Sequence, residues 1–287
     1  INLGKGIAKN RALLENIFSL FAAINSKVPI FIVGKPGCSK SLSFQLINKS
    51  MQAGGSESTF FRKYPKLLVN PFQGSMASTS KGVEKVFDKA RTNYEQLNAH
   101  DKLTNISVIF FDEMGLAEHS PNNPLKVIHS KLEYDENEGE KKVAFLGISN
   151  WSLDAAKMNR GITISIPDLS EEDNIETSLT IGKSYNENLA TRYEQFYKDL
   201  GSAYFEYRNY LKDNYLIDVR QDFHGNRDFY LLIKIFTRKL ISKEENNLLN
   251  DDTLLECAID SIERNFGGTY LDQEKSSVQK FKEIFAK

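Results

Sequence analysis

Short, continuous apolar runs alternate with helically spaced stretches through the first part of the chain. The runs lie at residues 29–33, 66–70, 106–111, 143–148 and 162–166. Strands that are apolar along their whole length and alternate with helices are typical of a parallel sheet covered on both faces. We therefore predict an α/β fold here, with the second strand ending at Pro71.

The pattern changes beyond Pro167, where helical periodicity continues to the end of the chain. Ser170 followed by Asp173 is a helix-start signal. Candidate helices lie at residues 171–181, 186–212, 227–242, 252–265 and 276–286. The aromatic residues within 196–210 fall at helical spacing, which indicates helix packing, with a partner-binding face as the alternative. We predict two parts, an α/β part at 1–167 and an all-helical part at 168–287.

The loop after the first predicted strand carries a phosphate-binding pattern, Gly34-Lys-Pro-Gly-Cys-Ser-Lys-Ser41. A strand, a glycine-bearing loop ending in Lys-Ser and a helix together form a P-loop. Loop N–H groups and the helix dipole surround phosphate oxygens, Lys40 reaches the β- and γ-phosphates, and the Ser41 hydroxyl ligates magnesium. The residues assigned to nucleotide contact are Gly34, Pro36, Gly37, Cys38, Ser39, Lys40, Ser41 and Leu42.

Ser39 departs from the usual G-x-x-x-x-G-K-[ST] pattern, because it stands where the second glycine belongs. Serine adopts positive φ less readily than glycine, so a slightly altered loop is expected. A chance Gly/Ser/Lys turn before an amphipathic helix is the alternative to nucleotide binding.

Two carboxylates, Asp112 and Glu113, follow the apolar run 108–111 in the Walker B pattern. A buried strand delivers both acids to the carboxyl edge of an open α/β sheet, where ligands bind. Asp112 is predicted to hold Mg²⁺, directly or through water, and Glu113 to polarise the attacking water as general base. The alternative is a pair of acids that merely end a strand.

Asn150 ends the fourth predicted strand. In P-loop ATPases with an extra strand between the P-loop and Walker B strands, a polar residue there orients the water and contacts the γ-phosphate. An Asn that caps a turn before Trp151 is the alternative.

Bulk properties narrow the choice of partners and compartment. The 287 residues carry a formal net charge of -1, which gives no basic footprint for nucleic acid. Apolar runs all fall short of the ~20 residues that span a bilayer, so we expect no membrane span. Cys38 and Cys257 lie far apart and suit a reducing compartment, so we expect a cytoplasmic protein. The chain starts at Ile1 with no secretory leader, and we expect it to be part of something longer.

Together these motifs resemble an AAA+ ATPase module. Longer blocks resemble more closely the mysterin family of giant, dynein-like AAA+ ubiquitin ligases. These blocks cover residues 34–42, 112–121 (Asp-Glu-Met-Gly-Leu-Ala-Glu-His-Ser-Pro), 124–129, 147–161 (Gly-Ile-Ser-Asn-Trp-Ser-Leu-Asp-Ala-Ala-Lys-Met-Asn-Arg-Gly) and 225–234. Ser39 is among the features that match this family. The resemblance implies a P-loop AAA+ parallel sheet flanked by helices and followed by an all-helical lid.

The resemblance also assigns two arginines. Arg160 lies where AAA+ proteins place an arginine finger, which points into the neighbouring module's site and stabilises transition-state charge. A surface ion pair is its alternative. Arg227 matches the sensor-two arginine, which reaches the γ-phosphate from the lid of the same chain. Its alternative is an ion pair with Asp222 or Asp228.

The expected function is therefore a motor module that binds Mg²⁺ and ATP/ADP and hydrolyses ATP. By resemblance, its partners are neighbouring AAA+ modules of the same long chain, and ubiquitin-pathway partners belong to the full protein. No zinc-ligand pattern or evident catalytic cysteine for ubiquitin transfer occurs in the sequence. Three alternatives remain: a structural or regulatory module that holds ATP with slow or no turnover, a scaffold with a degenerate site, and a nucleic-acid translocase. The charge balance argues against the translocase. Intact Lys40, Asp112 and Glu113 argue against the scaffold.

Overall fold

The computed structural model describes residues 1, 3–132, 143–214, 224–267 and 277–286. The chain divides into two compact units. The first comprises Ile1–Asn2 and Ala12–Pro167, and the second comprises Leu3–Arg11 and Asp168–Lys287. The segment Leu3–Arg11, which the sequence pattern grouped with the first part, has its contacts in the second unit.

The first unit contains five parallel strands among its described residues. They are β1 (Ile30–Val33), β2 (Lys66–Gln73), β3 (Asn105–Asp112), β4 (Val143–Ser149) and β5 (Ile162–Ser165). Their order across the sheet is β2-β3-β4-β1-β5. The helices are α1 (Arg11–Asn25), α2 (Lys40–Ser50), α3 (Ser80–Glu95), α4 (Ala99–Thr104), α5 (Met114–Glu118), α6 (Lys126–Leu132) and α7 (Ala155–Met158). The predicted α/β sheet is confirmed, with β4 between the P-loop strand and the Walker B strand.

The two faces of this sheet are covered by different helices. Ile30 and Ile32 of β1 belong to an apolar cluster with buried side chains of α1 and α2. Phe31, which points to the opposite face, packs with residues of α3 and α6. Because both faces are buried, the carboxyl edge of the strands is left as the surface where polar side chains gather.

Pro71 lies inside β2 and pairs in register with Phe110, so the predicted end of this strand at Pro71 was wrong. The strand continues to Gln73 because β2 is at the edge of the sheet. Proline lacks an N–H group, and an edge strand tolerates that loss on its unpaired side.

The second unit is helical over its described residues. Its helices are α8 (Glu171–Tyr185), α9 (Glu187–Arg192), α10 (Glu194–Asn214), α11 (Asn226–Glu245), α12 (Asp251–Phe266) and α13 (Ser277–Phe285). The predicted start of α8 is confirmed by a capping box between Ser170 and Asp173. The predicted helix at 186–212 is in fact two helices separated at Tyr193.

Aromatic side chains fill the core of this unit. Tyr197, Tyr204 and Tyr207 are buried, which confirms for these three the interpretation as helix packing. The Tyr204 ring stacks on Phe229 at a centroid distance of 4.3 Å. Among the helices of the described ranges, none combines the length and apolar character needed to cross a membrane.

Candidate functional site

The predicted site residues of the first unit meet at the carboxyl edge of three neighbouring strands. Val33 pairs with Ser149, and Phe111 pairs with Gly147, so β1, β3 and β4 end at nearly the same level. The P-loop follows β1, Asp112 closes β3, and Asn150 follows β4. A parallel sheet therefore brings together residues that are far apart in sequence.

The P-loop contains two residues in the left-handed conformation, Gly37 with φ 87° and Ser39 with φ 61°. Ser39 thus adopts the backbone conformation that glycine favours, at a cost of about 1 kcal/mol for a residue with a side chain. Asn16 of α1 is buried, and its side-chain amide donates to the Cys38 carbonyl oxygen across 3.3 Å. This contact fixes the loop to α1. Asn16 was not predicted, although a polar residue in the apolar stripe of α1 was an available signal.

Lys40 is the first residue of α2, and it is 6% exposed. Its ammonium group donates hydrogen bonds to the carbonyl oxygens of Gly34 and Lys35, the latter at 2.9 Å. The N–H groups of a first helical turn have no acceptor within the helix. A largely buried cation and such N–H groups at one loop form a site that suits phosphate.

Ser41 and Asp112 bring two side-chain oxygen atoms close together. Ser41 Oγ donates to Asp112 Oδ2 across 3.4 Å. Two oxygens in adjacent positions around octahedral Mg²⁺, each at 2.0–2.1 Å, lie about 3 Å apart. The residues present therefore fit a shared magnesium ion with only a small adjustment.

Glu113 occupies a constrained turn. Its φ is 53°, and its N–H group donates to Asp112 Oδ1 across 2.9 Å. The Asn150 side-chain amide donates to Glu113 Oε2 across 3.0 Å. Gly74, at the end of β2, packs against this turn so closely that a Cβ there would lie 2.2 Å from the Glu113 carbonyl oxygen. Only glycine fits at this position, whose role the sequence pattern did not reveal.

Arg160 lies near the amino ends of the strands, whereas the P-loop of the same chain lies at their carboxyl ends. The next residues enter β5, where Ile162 N–H donates to the Pro29 carbonyl oxygen, just before β1. The P-loop begins after β1, beyond four strand residues that span about 13 Å. The structure therefore does not bring Arg160 together with Lys40 and Glu113.

Arg227 is in the first turn of α11, in the second unit, and is exposed. The neighbouring Asp228 carboxylate accepts a hydrogen bond of 3.0 Å from Gly225 N–H at the start of α11. Burial raises the pKa of Asp228. Within the described ranges Arg227 forms no ion pair, and Asp222, its other suggested partner, lies outside them.

Comparison with known proteins identifies relatives of the chain. Residues 6–173 match the family model described as the RNF213 AAA domain, a range that includes every predicted site residue except Arg227. The chain is 39% identical over 274 residues to the E3 ubiquitin-protein ligase RNF213 of Homo sapiens. It is 37% identical over 268 residues to the E3 ubiquitin-protein ligase rnf213-beta of Danio rerio. These alignments cover 93% and 91% of this chain but only 5% of each relative's length.

Among solved structures, the chain is similar to the ORC2 protein of Aeropyrum pernix, which was determined as ADPNP and ADP complexes. The TM-score is 0.51 at 11% sequence identity, over 87% of this chain and 65% of that one. At this identity the likeness concerns the fold alone.

Proposed function

The chain belongs to the RNF213 AAA domain family, and on that premise we propose that it binds Mg-ATP and hydrolyses it to ADP and phosphate. One observation carries the proposal. A buried lysine, a Ser–Asp oxygen pair and a glutamate hydrogen-bonded to an asparagine converge at one sheet edge. AAA+ ATPase membership gives the general class of activity, and these side chains give its chemistry.

The roles follow from the donors and acceptors present. Lys40 and the first turn of α2 bind the phosphates, and Ser41 with Asp112 would hold Mg²⁺. The metal ion neutralises charge on the phosphate oxygens when bound. Glu113 accepts a proton from the attacking water as it displaces ADP from the γ-phosphoryl group. Because Asn150 bonds Oε2, the Glu113 carboxylate is held in orientation while Oε1 remains available for that proton.

We place this module in a ring of AAA+ modules within a giant, dynein-like, cytoplasmic ubiquitin ligase. Arg160 then completes the site of a neighbouring module, because it lies at the amino ends of the strands, away from the nucleotide site of its own module. Arg227 contacts the γ-phosphate from the helical unit, residues 168–287, which acts as a lid. Ubiquitin transfer and its partners belong to other parts of such a protein. The formal net charge of -1 supports the proposal that nucleic acid is not a partner.

A second candidate is an ATP-binding module with a structural or regulatory role and slow or no turnover. The position of Arg160 favours it for the isolated chain, since no arginine from a neighbour then reaches the site. The two candidates share the same binding residues and differ only in the rate of hydrolysis with neighbouring modules present.

Calorimetric titration with ATP, with and without magnesium, tests the proposal. We expect magnesium-dependent binding by the parent chain and at least about 30-fold weaker binding by Lys40→Ala, because the bound phosphates then lose a buried charge partner. Lys49→Ala changes an exposed lysine at the other end of α2 and is the matched control. Absence of binding at millimolar ATP, or parent-like affinity in Lys40→Ala, would refute the P-loop assignment.

A further inference from the structure

Glu118 connects the end of α5 to the start of α7 through one carboxylate oxygen. Its Oε1 accepts a hydrogen bond of 2.8 Å from Lys157 Nζ and one of 3.0 Å from Asp154 N–H. The Glu118 and Lys157 side chains are 17% and 20% exposed. A pair that is largely withdrawn from water and bound to a backbone donor is stronger than an ordinary surface ion pair.

On one side of this bridge, α5 connects Glu118 directly to the Walker B turn. The helix starts immediately after Glu113, and Leu116 N–H donates to the Glu113 carbonyl oxygen across 3.1 Å. Gly115 packs under Trp151 so closely that a Cβ would lie 2.6 Å from the indole. A shift of Glu113 or of the Asn150–Trp151 segment therefore moves α5, and Glu118 is its last residue.

On the other side, α7 connects Lys157 to Arg160. Asp154 caps α7 by accepting from Ala156 N–H across 3.0 Å. Arg160 N–H donates to the Lys157 carbonyl oxygen across 3.4 Å. Glu118 thus contacts both the cap of this short helix and a side chain three residues before Arg160.

We propose that Glu118 and Lys157 are positioning residues that set the place of Arg160 according to the nucleotide held by the same module. The inference rests on the proposed function, since it requires that the site binds ATP and that Arg160 acts on a neighbour. The path runs from Glu113 through α5 to Glu118, across the ion pair to Lys157, and through α7 to Arg160. A contiguous chain of packed and hydrogen-bonded groups couples two sites when it has two discrete arrangements, and hydrogen exchange measures whether this one does.

Amide hydrogen exchange of this chain reports on the Arg160 turn. The N–H groups of residues 157–161 all donate to carbonyl oxygens within 154–158, so their exchange measures the opening of the turn. Exchange is followed without nucleotide and with Mg²⁺ and ADPNP, after calorimetry has measured binding of ADPNP by each variant. In the parent chain we expect ADPNP to change these exchange rates by at least about fivefold, the lower end of measured couplings between sites.

Glu118→Ala and Lys157→Met should still bind ADPNP but show the same exchange with and without it. Lys157→Met keeps the aliphatic part of the side chain, and it is the variant to be tested if Glu118→Ala does not fold. A merely structural role would speed exchange in both states and preserve their ratio. The matched control is Lys131→Met, which breaks a 3.0 Å ion pair with Asp88 in the same unit and should behave as the parent.

Three outcomes would overturn the coupling and leave the proposed function standing. The parent chain binds ADPNP without a change in the exchange of residues 157–161, or both variants keep the parent's ratio of exchange rates with and without ADPNP. The third is that Lys131→Met loses the change in exchange. A parent chain that binds neither ADPNP nor ATP would refute the proposed function, and the coupling with it. The titration distinguishes that failure from the others before exchange is measured.

Discussion

The Asn150 side-chain amide lies 3.0 Å from Glu113 Oε2, although the two residues are 37 positions apart in sequence. The contact exists because β4 lies directly beside β3, so that the segments following both strands meet. Besides the phosphate contact proposed for Asn150, its amide thus holds the carboxylate that would activate water.

Glu113→Gln is expected to keep ATP bound while blocking its turnover. Glutamine has nearly the same shape but cannot accept the proton, and a positioned general base contributes about 100-fold or more to a rate. Phosphate release is measured against the parent chain, and calorimetry checks that affinity is retained. Glu84→Gln, at an exposed position of α3, is the control. Parent-like turnover in Glu113→Gln would exclude Glu113 as the base.

Arg227→Ala is expected to weaken ATP binding by about tenfold and ADP binding by much less. A charge-assisted hydrogen bond to the γ-phosphate contributes on the order of 1.5 kcal/mol, and ADP lacks that group. Calorimetry with both nucleotides measures the difference. Arg238→Ala removes another exposed arginine from α11 and should change neither affinity. Equal losses for ATP and ADP in Arg227→Ala would argue against γ-phosphate contact.

His224 is expected to make the stability of the chain depend on pH. It is buried at 4% exposure, and its Nδ1 lies 2.6 Å from the Tyr207 hydroxyl. Burial lowers its pKa from 6.5 to about 4, and the charge of Arg208 acts in the same direction. Between pH 6.5 and 4 the unfolded state binds the proton and the folded state does not. The free energy of unfolding should therefore fall by on the order of 3 kcal/mol as pH drops through this window.

Urea unfolding at pH 7 and at pH 4.5 measures this loss. His224→Asn should show a smaller loss, since asparagine does not titrate and tolerates the φ of 58° at this position. His100→Asn, at an exposed position, should retain the parent's dependence. A pH dependence unchanged by His224→Asn would contradict the assignment.

Gly201→Ala is expected to destabilise the chain by about 1–3 kcal/mol, although alanine is the better helix former. A Cβ at this position of α10 would lie 2.8 Å from the Ile175 Cα of α8, so the two helices would have to separate. Gly82→Ala is the matched control, because its Cβ would meet nothing nearer than 3.4 Å. Urea unfolding should show no destabilisation for Gly82→Ala, and equal losses in both variants would contradict the packing argument.

The site was predictable from sequence where a local pattern determines position. Asp112 directly follows an apolar run, and Lys40 follows another one through the P-loop. Short apolar runs between helical stretches predict buried strands, and strands of a parallel sheet bring such residues to one edge. The left-handed backbone of Glu113 was not predictable in this way. It accompanies the packing of Gly74 against the Glu113 carbonyl oxygen, and that contact depends on the neighbouring strand β2.

Two predictions were wrong for different physical reasons. Pro71 is tolerated within β2 because that strand is an edge strand, which only the sheet order reveals. The helical periodicity over 186–212 is continuous in sequence, yet α9 ends at Arg192 and α10 begins at Glu194. Periodicity shows which positions are apolar and does not show a one-residue break between two helices.

The placement of Leu3–Arg11 has a consequence for fragments of the chain. Gly6 N–H donates to Ser184 Oγ across 2.8 Å, and the Asn10 side-chain amide donates to Thr177 Oγ1 across 3.3 Å. A protease that nicks the chain once between Pro167 and Asp168 therefore does not yield two independent pieces. The amino-terminal piece contains Leu3–Arg11, and the residues that this segment contacts are on the carboxyl-terminal piece. We therefore expect the two pieces to remain associated after the cut and to bind each other again when mixed.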